Sequence, residues 1–331
     1  MKITYTNSNE NIDFSQVRNL LVKEIPARSD WDDEKVKNAF LNSSFVVYAF
    51  DGEVIVGAAR VLSDDYEWTL LSDLAVLDEY QNKGIGKSLL ENVLNRYKGH
   101  EIFAYAYIDV LDFYEKSGFK RSKNAFSYSG LNDEALDNSI PEDEFYLPLG
   151  YKYETEFYDF AGDFPKGQKS SYVRSDLEIK YTDCIDGISF EQINVLLEKA
   201  FGGHERDISV TRGAFLNSQH YEFAFDGEKL IGCARAISDG VQQGFILNVA
   251  VDPNYQGLHL GWNVVSKLSE QMKGQNIFLN THPGGVGFYN RKGFRRNKTA
   301  LMFQAHPDMP QEIAVGFVLP KGYKFADEIK K

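Results

Sequence analysis

The pattern of apolar and polar residues in the first 120 positions changes repeatedly between a period of two and a period near 3.6. Alternating or continuous apolar runs predict strands at Lys2–Tyr5, Phe45–Phe50, Val54–Val61, Trp68–Val76 and Glu101–Tyr107. Helical spacing predicts helices at Phe14–Lys23, Trp31–Leu41 and Gly84–Tyr97, and a short helix between Asp109 and Gly118. Asp51-Gly52 is a strong hairpin signal, and Asp30 and Asp109 are the expected N-caps of their helices. The order predicts an α/β domain whose mixed, mostly antiparallel central sheet is flanked by helices.

The same pattern occurs twice in the chain. Phe50-Asp51-Gly52-Glu53 recurs 175 positions later as Phe225-Asp226-Gly227-Glu228, and residues 50–119 share 22 identities with residues 225–294 without a gap. A repeat of this length indicates a duplicated domain rather than a solenoid. We therefore predict a first domain over residues 1–155, a linker over 156–175, which contains Pro165-Lys166-Gly167, and a second domain over 176–331.

Composition narrows the class of protein. The 331 residues fit two domains, and a hydrophobic share of 43% is enough for two packed cores. A net charge of −12 argues against a nucleic-acid or anionic-membrane partner and weakly favours a cationic one. Cys184 and Cys233 show no metal spacing and imply no disulfide framework. Because the start lacks an apolar signal core and no run reaches membrane-spanning length, we predict a cytoplasmic protein.

The most informative segment begins with the apolar run Leu74-Ala75-Val76, which is followed by a polar loop and a helix with Gly84 and Gly86 at its start. The first amides of a helix are unpaired and lie at the positive end of its dipole. Glycine allows a phosphate to approach them because it has no Cβ atom. The segment lacks the third glycine of a dinucleotide-binding fingerprint and the upstream glycine of a Walker loop. It predicts a pyrophosphate cradle of a different kind.

This segment and the downstream Phe113-Tyr114-Glu115-Lys116-Ser117-Gly118-Phe119 together resemble the GNAT family (Gcn5-related N-acetyltransferases). The resemblance implies that the loop binds the pyrophosphate of acetyl-CoA through Gln81, Lys83, Gly84, Ile85, Gly86 and Lys87. It also implies that Leu74, Ala75 and Val76 hold the pantetheine arm and that Tyr114 protonates the departing thiolate. Tyr107 and Val110 stand where the family often has Asn and Ala, which leaves one contact to the pantetheine arm open.

Acetyl transfer to an amine requires an oxyanion donor, an acid and a proton acceptor. We expect the Val76 N–H to stabilise the tetrahedral oxyanion and Tyr114 to supply the proton of coenzyme A. Asp73 is the candidate base because it adjoins the cofactor strand, with Glu67 and bulk water as rivals. The alternative interpretations are that Asp73 is a hydrogen-bonded strand carboxylate and that Tyr114 packs its helix onto the sheet.

The second copy departs from the first at the positions that carry charge. His259 replaces Gly84, and a side chain there should crowd the phosphate path. Leu258 and Trp262 replace Lys83 and Lys87, and Asn248, which replaces Asp73, cannot act as a base. Tyr289, the counterpart of Tyr114, is retained. We predict that the second copy binds cofactor weakly and mainly supports the first, the alternative being an active copy with altered contacts.

The sequence thus predicts an acetyl-CoA-dependent N-acetyltransferase acting on a primary amine of a small molecule or peptide. A non-catalytic acyl-CoA sensor or scaffold on the same fold is the alternative, and a monomer and a homodimer are both open. The histidines show no metal-ligand spacing, and no metal is expected. We expect Glu24–Lys35 and the insertion after Phe126 to form the acceptor pocket, where Arg28 and Trp31 either line the pocket or only pack.

Overall fold

Two seven-stranded sheets form the framework of the computed structural model, which describes residues 2–123, 125–129, 146–147, 177–202, 205–303, 319 and 325. The strands that the first copy supplies are β1 (Ile3–Thr6), β2 (Phe45–Asp51), β3 (Val54–Ser63), β4 (Trp68–Val76), β5 (Glu101–Tyr105), β6 (Lys120–Arg121) and β7 (Ala125–Ser129). Those from the second copy are β8 (Ile179–Thr182), β9 (His220–Asp226), β10 (Lys229–Ser238), β11 (Gln243–Val251), β12 (Asn276–Asn280), β13 (Arg295–Arg296) and β14 (Ala300–Phe303).

The helices follow the same duplication. In the described part of the first copy, the α-helices are α1 (Phe14–Glu24), α2 (Asp33–Leu41), α3 (Ile85–Arg96) and α4 (Leu111–Lys116). In the second copy they are α5 (Phe190–Ala200), α6 (Ile208–Leu216), α7 (Leu260–Gln271) and α8 (Val286–Asn290). Two cap predictions were wrong. Asp32 rather than Asp30 caps α2, accepting a hydrogen bond from Lys35 N at 2.7 Å, and α4 begins after Val110 without a side-chain cap from Asp109.

Each sheet is mixed and mostly antiparallel, as the sequence predicts. Among the described strands the parallel pairs are β4 with β5 and β11 with β12, and every other neighbouring pair is antiparallel. Helices α1 and α2 cover one face of the first sheet, where Val17, Leu21 and Phe40 are fully buried. Helix α3 covers the other face through Ile85, Leu89 and Val93. The helices therefore bury apolar side chains on both faces of the sheet.

The two copies exchange one strand, which the repeat pattern does not predict. Strand β14 of the second copy lies between β5 and β6 in the first sheet, and β7 of the first copy lies between β12 and β13 in the second. Only residues 122–124 separate β6, which belongs to the first sheet, from β7, which belongs to the second. Each sheet is thus completed by backbone hydrogen bonds to the other copy. The predicted linker, residues 156–175, lies outside the described residues.

Buried ion pairs also join the copies, and they obey the same 175-residue symmetry. Arg60 Nη1 donates to Asp239 Oδ2 at 2.8 Å, and Arg235 Nη2 donates to Asp64 Oδ2 at 2.6 Å. All four side chains have 0% exposure. The second oxygen of each carboxylate accepts three backbone N–H groups, those of Tyr66, Glu67 and Trp68 for Asp64 and those of Val241, Gln242 and Gln243 for Asp239. Every charge at this contact is therefore paired.

An apolar cluster between the copies surrounds these ion pairs. Phe103 and Phe245 meet with ring centroids 5.4 Å apart. The other buried members are Leu62, Leu70, Ile237 and Leu247. Removing apolar surface from water stabilises this contact, and the low-dielectric surroundings strengthen the hydrogen bonds of the ion pairs.

The buried contact predicts a loss of stability in acid. Burial opposes the ionisation of Asp239, but Arg60 and the backbone amides outweigh it and hold the pKa of that carboxyl below its ordinary value of 3.8. The ionised group therefore stabilises the fold above about pH 4, and that contribution is lost as the pH falls through the folded-state pKa. Urea unfolding between pH 3 and 6 should show this loss, and Asp239→Asn should flatten the slope. Parallel slopes for the two proteins would contradict the assignment.

Candidate active site

Strand β4 separates from its parallel neighbour halfway along its length. Its pairing with β5 joins Trp68–Leu71 to Glu101–Ala104, while its pairing with β3 shifts register beside Arg60, which makes Ser72 an extra residue in β4. Among the described residues, no strand pairs with the rest of β4 on that side. A bulge that ends pairing in this way opens a gap between two strands.

Every second backbone amide in the separated half of β4 points into this gap. Leu77 N–H donates to Val56 O at 3.0 Å, towards β3. Because successive residues of a strand direct their amides to opposite sides, the N–H groups of Leu74 and Val76 face the gap. Ala75 lies between them, and its buried side chain packs beneath α1 and α2. The predicted oxyanion donor, the Val76 N–H, is thus directed into the gap.

Helix α3 begins beside the gap with an uncapped N-terminus. Gly84, its N-cap, has φ 83° and provides no side-chain hydrogen bond, whereas Asp13 caps α1 and Asp32 caps α2. The first intrahelical bond runs from Ser88 N to Gly84 O, so the N–H groups of Ile85, Gly86 and Lys87 have no partner within the helix. A Cβ atom built on Gly84 would have no atom of the described residues within 4 Å. In the part of the chain that the structure describes, there is thus open space before three amides that have no partner within their helix.

The side chain of Gln81 braces the loop between β4 and α3. Its Nε2 atom lies 3.0 Å from Val76 O, 3.0 Å from Asp78 Oδ1 and 3.2 Å from Glu24 Oε2. Glu24 also accepts the Asp78 N–H at 3.1 Å, and burial raises the pKa of its carboxyl. The sequence did not reveal Glu24 as part of this brace, because it lies at the end of α1, far from the loop in the chain.

The two lysines of the loop contact neighbouring groups of the protein. Lys83 Nζ donates to Glu79 O at 2.6 Å and lies 5.0 Å from the centre of the Tyr80 ring. Lys87 Nζ lies 3.6 Å from Glu91 in an exposed ion pair on α3. Both lysines flank the N-terminus of α3, as their place in the sequence requires, and a role in phosphate binding stays a prediction for each.

Tyr114 packs its helix onto the sheet, which is one of the two interpretations that the sequence left open, and its role as an acid stays a prediction. Its ring packs against Phe113 and Phe119, with centroids 5.0 and 5.4 Å away, in the core between α4 and the sheet. Its hydroxyl has no hydrogen-bond partner among the described residues. Burial and, next, the negative charge of Asp73 raise the pKa of Tyr114 well above its ordinary value of 10.0. The phenol is therefore held in its protonated form.

Both carboxylate oxygens of Asp73 form ion pairs with arginines. Its Oδ1 accepts from Arg28 Nε at 3.0 Å, its Oδ2 accepts from Arg60 Nε, and the residue is 3% exposed. A carboxylate held by two guanidinium groups must leave one of them to accept a proton, so this geometry favours the alternative of a hydrogen-bonded strand carboxylate. Glu67, the other candidate base, is also held in an ion pair. Both of its carboxylate oxygens accept from Arg206 Nη2 of the second copy, at 2.9 and 3.0 Å.

Of the expected acceptor-pocket residues, Arg28 and Trp31 pack in the interior. The Arg28 guanidinium lies 4.6 Å from the centre of the Trp31 ring, and both residues are buried. Trp31 belongs to the apolar cluster beneath α1 and α2. The insertion after Phe126 lies almost entirely outside the described residues.

The second copy preserves the frame of this site without its charges. Helix α7 also begins uncapped, and its N-cap His259 adopts the left-handed conformation of Gly84 with φ 60°. Tyr289 is buried like Tyr114, with Phe288 and Phe294 as its aromatic neighbours. The counterpart of Asp73 is the neutral Asn248, whose Oδ1 accepts from Arg235 Nε at 2.5 Å.

Comparisons with known proteins match both copies to acetyltransferase models. The model of the acetyltransferase (GNAT) domain matches residues 15–133, and that of the acetyltransferase (GNAT) family matches residues 190–294. Serotonin N-acetyltransferase 2, chloroplastic, of Oryza sativa subsp. japonica is 36% identical over 86 residues, which are 25% of this chain and 43% of that protein. GCN5-related N-acetyltransferase 1, chloroplastic, of Arabidopsis thaliana is 33% identical over 117 residues, 33% of this chain and 57% of its own. The chain thus spans about half the length of these relatives.

A solved structure extends the likeness of fold to the whole chain. The GCN5-related glucosamine N-acetyltransferase region of a fungal multi-domain β-N-acetylglucosaminidase shares 14% identity with this chain. The match covers 91% of this chain and 38% of that protein, with a TM-score of 0.50.

Both sequence relatives are named chloroplastic, so they lend no support to the predicted cytoplasmic location. Within the described residues, none of the helices has the length and apolar character needed to cross a bilayer.

The ion pairs of Asp73 predict unequal effects of two substitutions. Asp73→Ala should leave the buried guanidinium groups of Arg28 and Arg60 without their shared acceptor, and we expect a loss of about 3–5 kcal/mol in the free energy of unfolding. Asp73→Asn should cost less, because an amide oxygen can still accept from Arg60, as Asn248 does from Arg235. Urea unfolding measures both, and equal losses would contradict the prediction.

Proposed function

The chain belongs to the GNAT acetyltransferase family through both of its domains, and from this premise we propose that the first domain transfers an acetyl group from acetyl-CoA to a primary amine. The observation that carries the proposal is the uncapped N-terminus of α3 beside the separated half of β4. This arrangement offers amides for a diphosphate and, next to them, a free strand edge for an amide-containing arm.

The residues present fit acetyl-CoA as the donor. The N–H groups of Ile85, Gly86 and Lys87 suit the pyrophosphate, and Gly84 leaves room for it. The pantetheine arm carries amide groups that can pair with the exposed edge of β4 at Leu74 and Val76. Ser72 has a buried hydroxyl without a partner among the described residues, at the point where the two strands separate. A bound thioester donor would supply a partner for such groups.

The proposed reaction uses the Val76 N–H, which faces the gap, and the protonated phenol of Tyr114. The lone pair of the neutral amine attacks the thioester carbon, and the Val76 N–H donates to the oxyanion that forms. The oxyanion collapses, the carbon–sulfur bond breaks, and the Tyr114 hydroxyl gives its proton to the departing thiolate. The ammonium form of the amine must lose a proton before the attack and the amine loses another after it. We assign the removal of both to water, because Asp73 and Glu67 are held in ion pairs. One of the two protons returns through water to the Tyr114 phenolate, and the other is released to solvent.

The acceptor is proposed only as a class. The net charge of −12 favours a cationic amine over an anionic one by long-range attraction. One relative is named a serotonin N-acetyltransferase, so an arylalkylamine belongs in a panel of candidate acceptors beside polyamines, amino acids and peptide N-termini. Because the two copies exchange strands, such a panel should be tested on the whole chain rather than on separate halves.

Replacement of Tyr114 tests the acid. We expect Tyr114→Phe to lower kcat for thiol release by roughly 10²-fold, because the phenol supplies the proton of the leaving group, with little change in the Kd of acetyl-CoA. The raised pKa of Tyr114 also predicts that the wild type loses no activity through this group below about pH 10.

The matched control for this test is Tyr289→Phe, which removes the same hydroxyl from the second copy and should leave kcat unchanged. Equal losses for the two variants would show that both copies are active. Donor binding without turnover of any amine would instead favour an acyl-CoA sensor.

A carboxylate placed before α3 tests the diphosphate cradle. Gly84→Glu should weaken acetyl-CoA binding at least tenfold in calorimetry, because it puts a negative charge and a side chain before the unpaired amides. His259→Glu makes the same change before α7, where a left-handed side chain is already present, and should leave affinity and stoichiometry unaltered. Unimpaired binding by Gly84→Glu would refute the proposed site, and weaker binding by His259→Glu would show a second one.

A further inference from the structure

One carboxylate of the second domain lies in the ion cluster next to the proposed active site of the first. Asp239 Oδ2 accepts from Arg60 Nη1 at 2.8 Å, while the Nε of the same guanidinium donates to Asp73. Asp73 in turn accepts from Arg28 at 3.0 Å, and its charge acts on Tyr114. A continuous chain of ion pairs thus runs from Asp239 of the second domain to Asp73 and Arg28 of the first.

The positive and negative charges of this cluster are equal in number only when Asp239 is included. Arg28 and Arg60 carry two positive charges, and Asp73 and Asp239 carry two negative ones, with side-chain exposures between 0 and 5%. Without the carboxylate of Asp239, Arg28 and Arg60 would share the single charge of Asp73, and the cluster would hold one excess positive charge. Such a charge is costly in the protein interior, and its neighbours must rearrange around it.

We propose that Asp239 is a positioning residue of the first domain's active site, supplied by the second domain. The inference rests on the function proposed above. Asp239 holds one side of the Arg60 guanidinium, so that the opposite side keeps Asp73 in place at the bulge of β4. Asp73, whose charge acts on Tyr114, then stays at a fixed position where β4 separates from β5. The second domain thereby has a role in the reaction even without a donor of its own.

The symmetric ion pair between Asp64 and Arg235 has the same structure as the Asp239–Arg60 pair but no link to Asp73. Asp64 of the first domain accepts from Arg235 at 2.6 Å, is equally buried, and also accepts three backbone N–H groups. Arg235, however, leads to the neutral Asn248 in the second copy. Loss of either carboxylate therefore unbalances one arginine at the domain contact, but only the loss of Asp239 reaches Asp73.

The test compares Asp239→Asn with Asp64→Asn in the whole chain. Both variants should lose similar thermal stability, since in each the new NH2 group must face either the arginine or the three backbone N–H groups that the carboxylate accepted. With an amine found in the panel as acceptor, Asp239→Asn should lower kcat about tenfold while the Kd of acetyl-CoA stays within about twofold, because α3 is untouched. Asp64→Asn should leave both quantities within about twofold. Equal kcat values for the two variants would overturn the inference.

Crystal structures of both variants give a readout that does not depend on turnover. Asp239→Asn should show the Arg60 guanidinium turned and the Asp73 side chain displaced from its place at the bulge of β4, whereas Asp64→Asn should leave these side chains in place. An unmoved Asp73 in Asp239→Asn would overturn the inference even if the enzyme is active. Failure of the wild type to release thiol with any amine would refute the proposed function alone, and the two structures would still decide the role of Asp239.

Discussion

A guanidinium group buried at the contact between two domains must find a carboxylate, and here each domain obtains it from the other. Arg60 needs Asp239 and Arg235 needs Asp64, and these requirements fix how the two sheets face one another. Three backbone amides orient each carboxylate, so the turn after β3 and the turn after β10 are part of the same arrangement. The apolar cluster around Phe103 and Phe245 then excludes water from the contact. The position of Asp73 next to the site follows from this arrangement.

Much of the fold could be predicted from the sequence because short-range patterns determine its elements. The hairpin at Asp51-Gly52, the strand Trp68–Val76 and the helix after Gly84 all lie within one or two residues of their predicted bounds. The strand exchange could not be predicted in this way. Strands β7 and β14 belong to a repeated pattern, and periodicity alone does not tell which of two similar sheets a strand joins.

The site shows the same division between local and long-range information. The glycine-rich helix start and the preceding strand lie within a few residues of each other, so their juxtaposition was predictable from the sequence. The partners of Asp73 were not, because Arg28 lies 45 positions away and Asp239 belongs to the other domain. A carboxylate beside the predicted cofactor strand is a candidate base only as long as its ion pairs are unknown. The contact of Glu24 with Gln81 was not predicted for the same reason, since only the fold brings the two residues together.

The exchanged strands also impose an order on the formation of the molecule. A ribosome makes β5 and β6 long before β14, the strand that separates them in the finished sheet. During synthesis the first half must therefore leave this place vacant or fill it temporarily with its own β7, until the last part of the chain emerges. Maturation of the first domain is thereby tied to completion of the second, and a chain truncated before Ala300 would lack a strand from the sheet that holds its proposed catalytic site.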